Sequence, residues 1–199
     1  PSSPQPGTGI RVCESELSVE NLLTGLISSK TRIKLLMRLF LNPRARSYLR
    51  ELAKEFKVST NAVREELNQL TRTQLLKSEK SGRQVIYRAN TDHVLYPELR
   101  SMISKVLGID QVVDGIVNRL GKLKLAYLND DYAEGKDSGI IDLILVGDID
   151  SLQLNSLKEK TEKHIHRKIR ILVLSTLEYA KFEDALNKRP HLLLWENAL

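Results

Sequence analysis

Two groups of polar side chains in this sequence have types and spacing suited to chemistry. The first is Arg64 with Asn61 and Asn68, which lie three or four residues apart and so share one face of a helix. Arg can bind two atoms of guanine and Asn two atoms of adenine, so this face suits the edges of DNA bases. The second group is acidic and lies between residues 130 and 148, where carboxylates offer the oxygen ligands that hard divalent cations prefer.

Periodic apolar residues predict the helices that carry the first group. A helix over residues 33–40 ends at Asn42-Pro43, because the residue before a proline is pushed out of the helical region. A second helix is predicted from about 48 to 56 and a third from 60 to about 71. Ser59 is a suitable N-cap for the third helix.

The turn between the second and third helices decides how they are interpreted. It is only three residues long, with Ala53 expected where the helices cross and Val58 expected to fill the core beneath the turn. This spacing predicts a helix-turn-helix, whose second helix enters the major groove. An ordinary helical hairpin with a solvated polar face is the alternative.

A basic hairpin is predicted directly after the third helix. Residues 75–79 and 84–88 are β-like runs, and residues 80–83 between them have turn composition. Such a hairpin is a wing, suited to contacts with the DNA backbone or minor groove. The predicted DNA-binding residues from turn, helix and wing are Ser59, Thr60, Asn61, Arg64, Asn68, Lys77, Lys80, Arg83 and Arg88.

The charge distribution supports a phosphate-binding module. The chain carries a net charge of +6, but residues 26–108 hold 17 basic and seven acidic side chains, a local charge of +10. A basic segment of this kind is the electrostatic footprint of nucleic-acid binding. An anionic membrane surface would instead need one amphipathic helix with a basic face, and here the basic residues are spread over several elements. No apolar run approaches the ~20 residues that cross a bilayer, so no membrane partner is expected.

A further helix, over about residues 92–107, follows the wing. It has a broad apolar face, which fits either the seam of a homodimer or packing against a second domain of the same chain. The residues of this face are Val94, Leu95, Leu99, Met102, Ile103 and Val106.

Residues 26–107 resemble the ArsR/MarR-like winged-helix regulators of prokaryotes. The resemblance is carried by the stretch from Tyr48 to Leu70 and by Gly82-Arg83-Gln84-Val85-Ile86-Tyr87. It implies transcriptional regulation by a dimer on double-stranded DNA. Metal-sensing members carry cysteines on the recognition helix or a late helix, whereas the single cysteine here is Cys13, so metal sensing is not supported.

The acidic half beyond Gly108 is predicted to form a small mixed α/β domain. A helix over 112–120 is followed by strands and helices in alternation, with strands at 123–128, 140–146, 169–174 and 191–195. Helices are expected over 152–163 and 177–187. Trp195 is expected to be a packing anchor.

Residues 109–195 resemble minimal, antitoxin-like nucleotidyltransferases. The matching residues are Tyr132, Ala133, Gly135 and Asp142, the last on an apolar strand. Asp130-Asp131 replaces the Gly-Ser that cradles the phosphates in that family, Ile140 replaces the first metal carboxylate, and the later strand, Lys168-Ile169-Arg170-Ile171, has no acid. The resemblance therefore implies a degenerate site, made of Asp130, Asp131, Gly135, Ile140 and Asp142, that no longer catalyses transfer.

Other metal-binding possibilities are weaker. His164 and His166 are two residues apart, which on a helix points their side chains in different directions. The acidic residues Asp130, Asp131, Glu134 and Asp137 lack a regular cation-binding pattern, and a solvated loop is the preferred interpretation. No metal and no cofactor is therefore expected, and a lone Cys13 fits a reducing cytoplasm.

Together these features predict an α+β chain with three parts: a flexible tail over 1–25, a winged helix-turn-helix over 26–108, and a small nucleotidyltransferase-like domain over 109–199. The predicted function is a DNA-binding transcriptional regulator, dimeric and not an enzyme. Its second domain is expected to serve an unknown effector or protein partner. The alternative is an active nucleotidyltransferase that uses the winged helix to locate its substrate.

Overall fold

The computed structural model describes residues 23–197 and confirms a mixed α/β chain with two sheets. Its first half carries four helices and a three-stranded sheet. In chain order these elements are α1 (Lys30–Phe40), β1 (Ser47–Tyr48), α2 (Leu49–Phe56), α3 (Thr60–Arg72), β2 (Leu76–Ser81), β3 (Gln84–Ala89) and α4 (Tyr96–Leu107).

Local sequence signals set the turn between α2 and α3. α2 ends at Lys57 in the left-handed conformation (φ 57°), and Ser59 then caps α3 by accepting a hydrogen bond from the Ala62 amide. Ala53 is buried as predicted. The prediction for Val58 is wrong: its side chain is 37% exposed, because the left-handed turn at Lys57 directs the following residue outward instead of into the core.

The strand β1 was not expected from the sequence, which placed Tyr48 inside a helix. Ser47 and Tyr48 pair antiparallel with Tyr87 and Ile86 on β3, giving the strand order β1-β3-β2. Two residues are too short a run for any periodicity to show. The sheet therefore ties the start of α2 to the hairpin.

The helix α4 begins later than predicted. It starts at Tyr96 with Pro97 in its first turn, where a missing amide hydrogen costs nothing, so Val94 stays 81% exposed outside the helix. Ile103 and Leu107 are fully buried, and Leu99 packs against the same core. Most of the predicted dimer face is therefore used within the chain.

The second half alternates helices and strands around a four-stranded sheet. The helix predicted over 112–120 is broken, because regular α-helix stops at Gly115 and a 3-10 turn, Val117–Arg119, follows. The elements are α5 (Ile109–Gly115), β4 (Leu123–Asn129), α6 (Asp130–Ala133), β5 (Ile140–Gly147), α7 (Ser151–Ile165), β6 (Lys168–Leu174), α8 (Thr176–Asn187) and β7 (His191–Glu196).

The strand order of this sheet is β6-β5-β4-β7, with β5 and β6 parallel and the other pairs antiparallel. One face, here called the inner face, packs Ile141, Leu143 and Leu145 into the main core together with α7. The opposite, outer face carries Ile144 and Val146 in a small separate cluster partly covered by α8. None of the twelve residues of α8 is buried, so the outer face is thinly covered.

One apolar core joins the two halves. It runs from Leu23 through α1 and α4 to the inner face of the second sheet and Leu192 on β7, with Trp195 packed at its edge. Leu23 is buried, which corrects the expected tail over residues 1–25 at its C-terminal end. Residues 1–22 of that tail, including Cys13, lie outside the described residues. The division at residue 108 stays a prediction.

Over residues 23–197, every helix is too short or too polar to span a bilayer.

Candidate functional site

The N-terminal half of α3 presents the polar face that its sequence predicts. Val63, Leu67 and Leu70 are buried, and this orientation leaves Thr60, Asn61, Arg64 and Asn68 exposed. A guanidinium nitrogen of Arg64 donates to Asn61 Oδ1 at 3.4 Å, and the Asn61 amide nitrogen donates to Glu65 Oε1 at 3.1 Å. The Ser59 hydroxyl is used as the helix cap.

A groove of about 540 Å³ separates this helix from the wing. Three arginines line it, namely Arg50 at the start of α2, Arg64 on α3 and Arg83 at the turn of the hairpin. Three guanidinium groups around one groove favour a phosphate or a base edge, because arginine binds both through paired hydrogen bonds. The remaining lining residues are Tyr48, Leu49, Asn68, Gln84, Val85 and Tyr87.

Sequence reasoning missed Tyr48, Arg50 and Gln84 as members of this groove. The short strand β1 brings the start of α2 beside β3, and that pairing left no periodic signal. Arg50 is exposed while Leu52 and Ala53 of the same helix are buried, so the helical pattern alone could have marked Arg50 as surface charge.

Two of the predicted wing contacts are engaged inside the chain. Lys77 pairs with Asp92 at 2.5 Å, and Arg88 donates to Glu79 at 2.7 Å. Lys80 and Arg83, at the tip of the hairpin, are exposed. Lys77 and Arg88 thus already have acidic partners within the chain, and the contact of all four basic residues with DNA stays a prediction.

The second candidate site is a row of polar side chains across the outer face. Arg170 on β6, Asp142 on β5, Asn129 on β4 and His191 on β7 are direct cross-strand neighbours and span all four strands. Asp142 lies two residues before Ile144, so it shares the face that α8 only partly covers. Ile140 precedes Asp142 on this face and, as its sequence implied, offers no oxygen ligand.

Each of two aspartates in this region is held by an arginine. Arg170 donates to both carboxylate oxygens of Asp142 at 2.6 and 2.8 Å, and Arg189 donates to both of Asp130 at 3.1 and 2.7 Å. The hydrogen bonds and charge of Asp142 raise the pKa of Arg170, with smaller contributions from Asp130 and Asp131. Asp130 is thus held by an arginine, which corrects the interpretation of the acidic segment as a solvated loop at this residue.

Two other acidic residues of the segment, Asp137 and Glu134, are also paired. Burial alone would raise the pKa of Asp137, but hydrogen bonds from Arg167 and Tyr132 outweigh it and the pKa is lowered. Burial, assisted by the hydrogen bond to Asp137, raises the pKa of Tyr132, so its hydroxyl stays protonated as the donor. Glu134 pairs with Lys136.

Gly135 lies apart from the polar row, at the contact between the two halves of the chain. It is buried at φ 77° against the backbone of Met37 and Arg38 on α1. Beside it, Arg38 donates to the Glu134 carbonyl at 2.9 Å, and Asn42 Nδ2 donates to the carbonyls of Ala133 at 3.0 Å and His191 at 3.2 Å. The end of α1 thus holds the segment that follows Asp130.

The resemblance to nucleotidyltransferases implies a divalent cation at the polar row, and the residues present do not fit one. Both oxygens of Asp142 and both of Asp130 already accept from arginines, and Ile140 offers none. Across residues 23–197, no three His, Cys, Asp or Glu side chains are grouped to hold a metal ion. His164 and His166 are both exposed, at the end of α7.

No family model matches this chain, and no curated protein matches it either. Solved structures that it resembles include reduced HlyU from Vibrio cholerae, 21% identical over 48% of this chain and 90% of that one, with a TM-score of 0.35. They also include the complex of a tri-AMPylated HEPN toxin from Shewanella oneidensis with its MNT antitoxin, 14% identical over 46% of this chain and 71% of that one, with a TM-score of 0.33. A toxin-antitoxin structure with AMP-PNP matches at 16% identity over 44% of this chain and 73% of that one, also with a TM-score of 0.33.

Each of these three matches covers less than half of this chain, with a TM-score below 0.5. The prediction that the chain is not an enzyme is corrected, because the matched structures include a tri-AMPylated toxin in complex with its antitoxin and a toxin-antitoxin structure with AMP-PNP.

Proposed function

We propose that this chain binds double-stranded DNA through its winged helix-turn-helix and regulates transcription. The observation that carries the proposal is the groove lined by Arg50, Arg64 and Arg83, beside the exposed first turns of α3. The +10 charge of residues 26–108 supplies the attraction to phosphates. The proposed contacts are the exposed residues of α3, the wing tip at Lys80 and Arg83, and Arg50.

The first test of this proposal is the salt dependence of binding to random duplex DNA, followed by fluorescence anisotropy. Binding that neutralises about 6–10 phosphates should weaken by roughly 10³–10⁵ between 50 and 200 mM salt. A response that is flat over this range would contradict the proposal.

A second test separates base readout from backbone contact. Genomic fragments retained by the purified protein first supply a specific site. On that site Arg64→Ala should cost about 1–3 kcal/mol and on random DNA little, whereas Arg83→Ala should weaken both alike. Arg72→Ala is the matched control, because Arg72 is exposed on α3 but does not line the groove. Equal losses on both DNAs for Arg64→Ala would refute its proposed place in the major groove.

The second candidate function is that of a nucleotidyltransferase guided to its substrate by the winged helix. The observation that favours it is the row of Arg170, Asp142, Asn129 and His191 on the thinly covered face. Incubation with α-labelled ATP and Mg²⁺ or Mn²⁺, with protein and RNA acceptors, tests it. Label transferred by the wild type and lost in Asp142→Ala would establish this function, and no label on any acceptor would reject it.

A further inference from the structure

The outward surface of α3 carries a carboxylate at its centre. Glu65 follows buried Val63 by two residues and precedes buried Leu67 by two, which at about 100° per residue places it about 200° around the helix from either. Its side chain is exposed. In a helix-turn-helix this is the surface that enters the major groove, so Glu65 faces the DNA bases when α3 is bound there.

Glu65 differs from its neighbour Glu66 in having no basic partner among the described residues. Glu66 pairs with Arg32 on α1 at 2.8 Å, so its charge is neutralised within the chain. The unpaired carboxylate of Glu65 repels the phosphates that the surrounding basic segment attracts, and it therefore weakens binding to DNA of any sequence. A contact with a base can offset this cost at a specific site.

Hydrogen bonds within α3 orient the carboxylate of Glu65. The Asn61 amide nitrogen donates to Glu65 Oε1 at 3.1 Å, and Asn61 Oδ1 accepts from Arg64 at 3.4 Å. Glu65 Oε2 accepts no hydrogen bond from the residues that the structure describes. Asn61 thus joins two charged side chains of the same surface, whereas the sequence alone suggested that it contacts adenine.

A carboxylate in the major groove favours cytosine. The only polar group that cytosine presents there is the N4 amino group, which donates to a carboxylate oxygen. Guanine and thymine present acceptors, and adenine presents an acceptor beside its amino group, so all three are less favourable to a negative charge. Glu65 Oε2, which is exposed and without a donor, is an acceptor suited to N4.

We propose that Glu65 determines part of the base specificity of the winged helix by accepting a hydrogen bond from N4 of a cytosine. Asn61 is the positioning residue that holds the carboxylate in place. The inference rests on the proposed binding of double-stranded DNA, and it adds an acidic contact with a base to the basic contacts proposed there.

Selection of duplexes from a library of randomised sequence, by the full chain and its variants, measures the base preference at each position. The wild type should select cytosine at one position, and Glu65→Gln should lower that preference about fivefold or more and shift it toward adenine, the base that glutamine pairs with. On random duplex DNA, Glu65→Gln should bind as well as the wild type or more tightly, because a negative charge is removed.

The matched control is Glu98→Gln. Glu98 is exposed in the first turn of α4, so the substitution removes the same charge from the basic segment without touching α3. It should keep the cytosine preference of the wild type. Circular dichroism establishes that both variants are folded.

Asn61→Ala distinguishes positioning from direct contact with a base. If Asn61 acts through Glu65, Asn61→Ala relaxes the same cytosine position, and it changes that position no further in the Glu65→Gln background. Relaxation of a separate adenine position would overturn the positioning role, because it would show that Asn61 contacts a base itself.

Three results would overturn the specificity role of Glu65 while leaving DNA binding in place. They are a selection that recovers no common site, equal base preferences for Glu65→Gln and the wild type, and a loss of affinity in Glu65→Gln that is as large on random DNA as on the selected site. Failure of the proposed function is recognised separately, since a chain that binds no duplex DNA in the salt titration overturns both.

Discussion

Replacing Gly135 with alanine should strongly destabilise the whole chain. Gly135 is buried at φ 77°, and an added Cβ would lie 2.7 Å from the Met37 carbonyl carbon and 2.8 Å from the Arg38 Cα, with the Met37 oxygen closer still. These are backbone atoms and cannot rotate away. The left-handed conformation costs an L-residue about 1–2 kcal/mol, and overpacking a core costs about 1–3 kcal/mol more. The expected loss in the free energy of unfolding is therefore about 2–5 kcal/mol.

Urea denaturation followed by circular dichroism measures this loss. With a slope of about 2 kcal/mol per molar urea, a loss of 3 kcal/mol lowers the midpoint by about 1.5 M. Two other glycines serve as controls that separate the cost of backbone strain from the cost of overpacking. Gly139 has φ 78° with open space around its Cβ position, so Gly139→Ala carries the backbone strain alone, about 1–2 kcal/mol. Gly121 has neither feature, and its replacement should change stability by less than about 1 kcal/mol.

The difference in stability loss between Gly135→Ala and Gly139→Ala tests the close contact at Gly135. If Gly135→Ala were within about 0.5 kcal/mol of Gly139→Ala, the close contact between the two halves would not exist as described. A second, separate unfolding transition in the wild type would also contradict a single shared core.

Three further predictions concern the stability of the chain and its association into a dimer. Asn42→Ala leaves two carbonyls, of Ala133 and His191, without their donor and should cost about 1–3 kcal/mol of stability by urea denaturation. Because the pKa of Asp137 is lowered in the folded chain, its contribution to stability is complete above about pH 4 and is lost as the pH falls through the lowered value. Asp137→Asn should therefore flatten the decline in stability below pH 4 in a pH series of unfolding curves. Light scattering should show a dimer at micromolar concentration that uses Val94 and Leu95, the part of the predicted dimer face that stays exposed; a monomer both free and on DNA would refute it.

The secondary structure could be predicted well because its signals are local. The buried stripe of Val63, Leu67 and Leu70 fixes the orientation of α3, and a serine before the first turn fixes where it starts. The apolar strands of the second half are predicted equally well. The observed strand Ile140–Gly147 ends one residue after its predicted end. Errors occurred where a single backbone angle decided the outcome, as at Lys57, whose left-handed turn exposes Val58.

The arrangement of the polar row could not be predicted, because it depends on strand register. Arg170 and Asp142 are 28 residues apart, and Arg189 and Asp130 are 59 apart. From sequence, Arg170 was only a position without an acid. Alternation along β5 and β6 predicts which face of its strand Asp142 and Arg170 each occupy. No local signal predicts how the two strands are aligned, so their pairing does not follow from the sequence. The arginine partners of these acidic residues therefore cannot be assigned from the sequence.

The contact between Asn42 and His191 has a consequence for synthesis of the chain. Its two residues are 149 positions apart, and at roughly 5–20 residues per second the ribosome needs about 7 to 30 seconds to make the second after the first. During that interval Asn42 lacks one of its two acceptors, and the apolar core that α1 shares with the second sheet is incomplete. The core that supports the winged helix is therefore completed only after β7 has been synthesised.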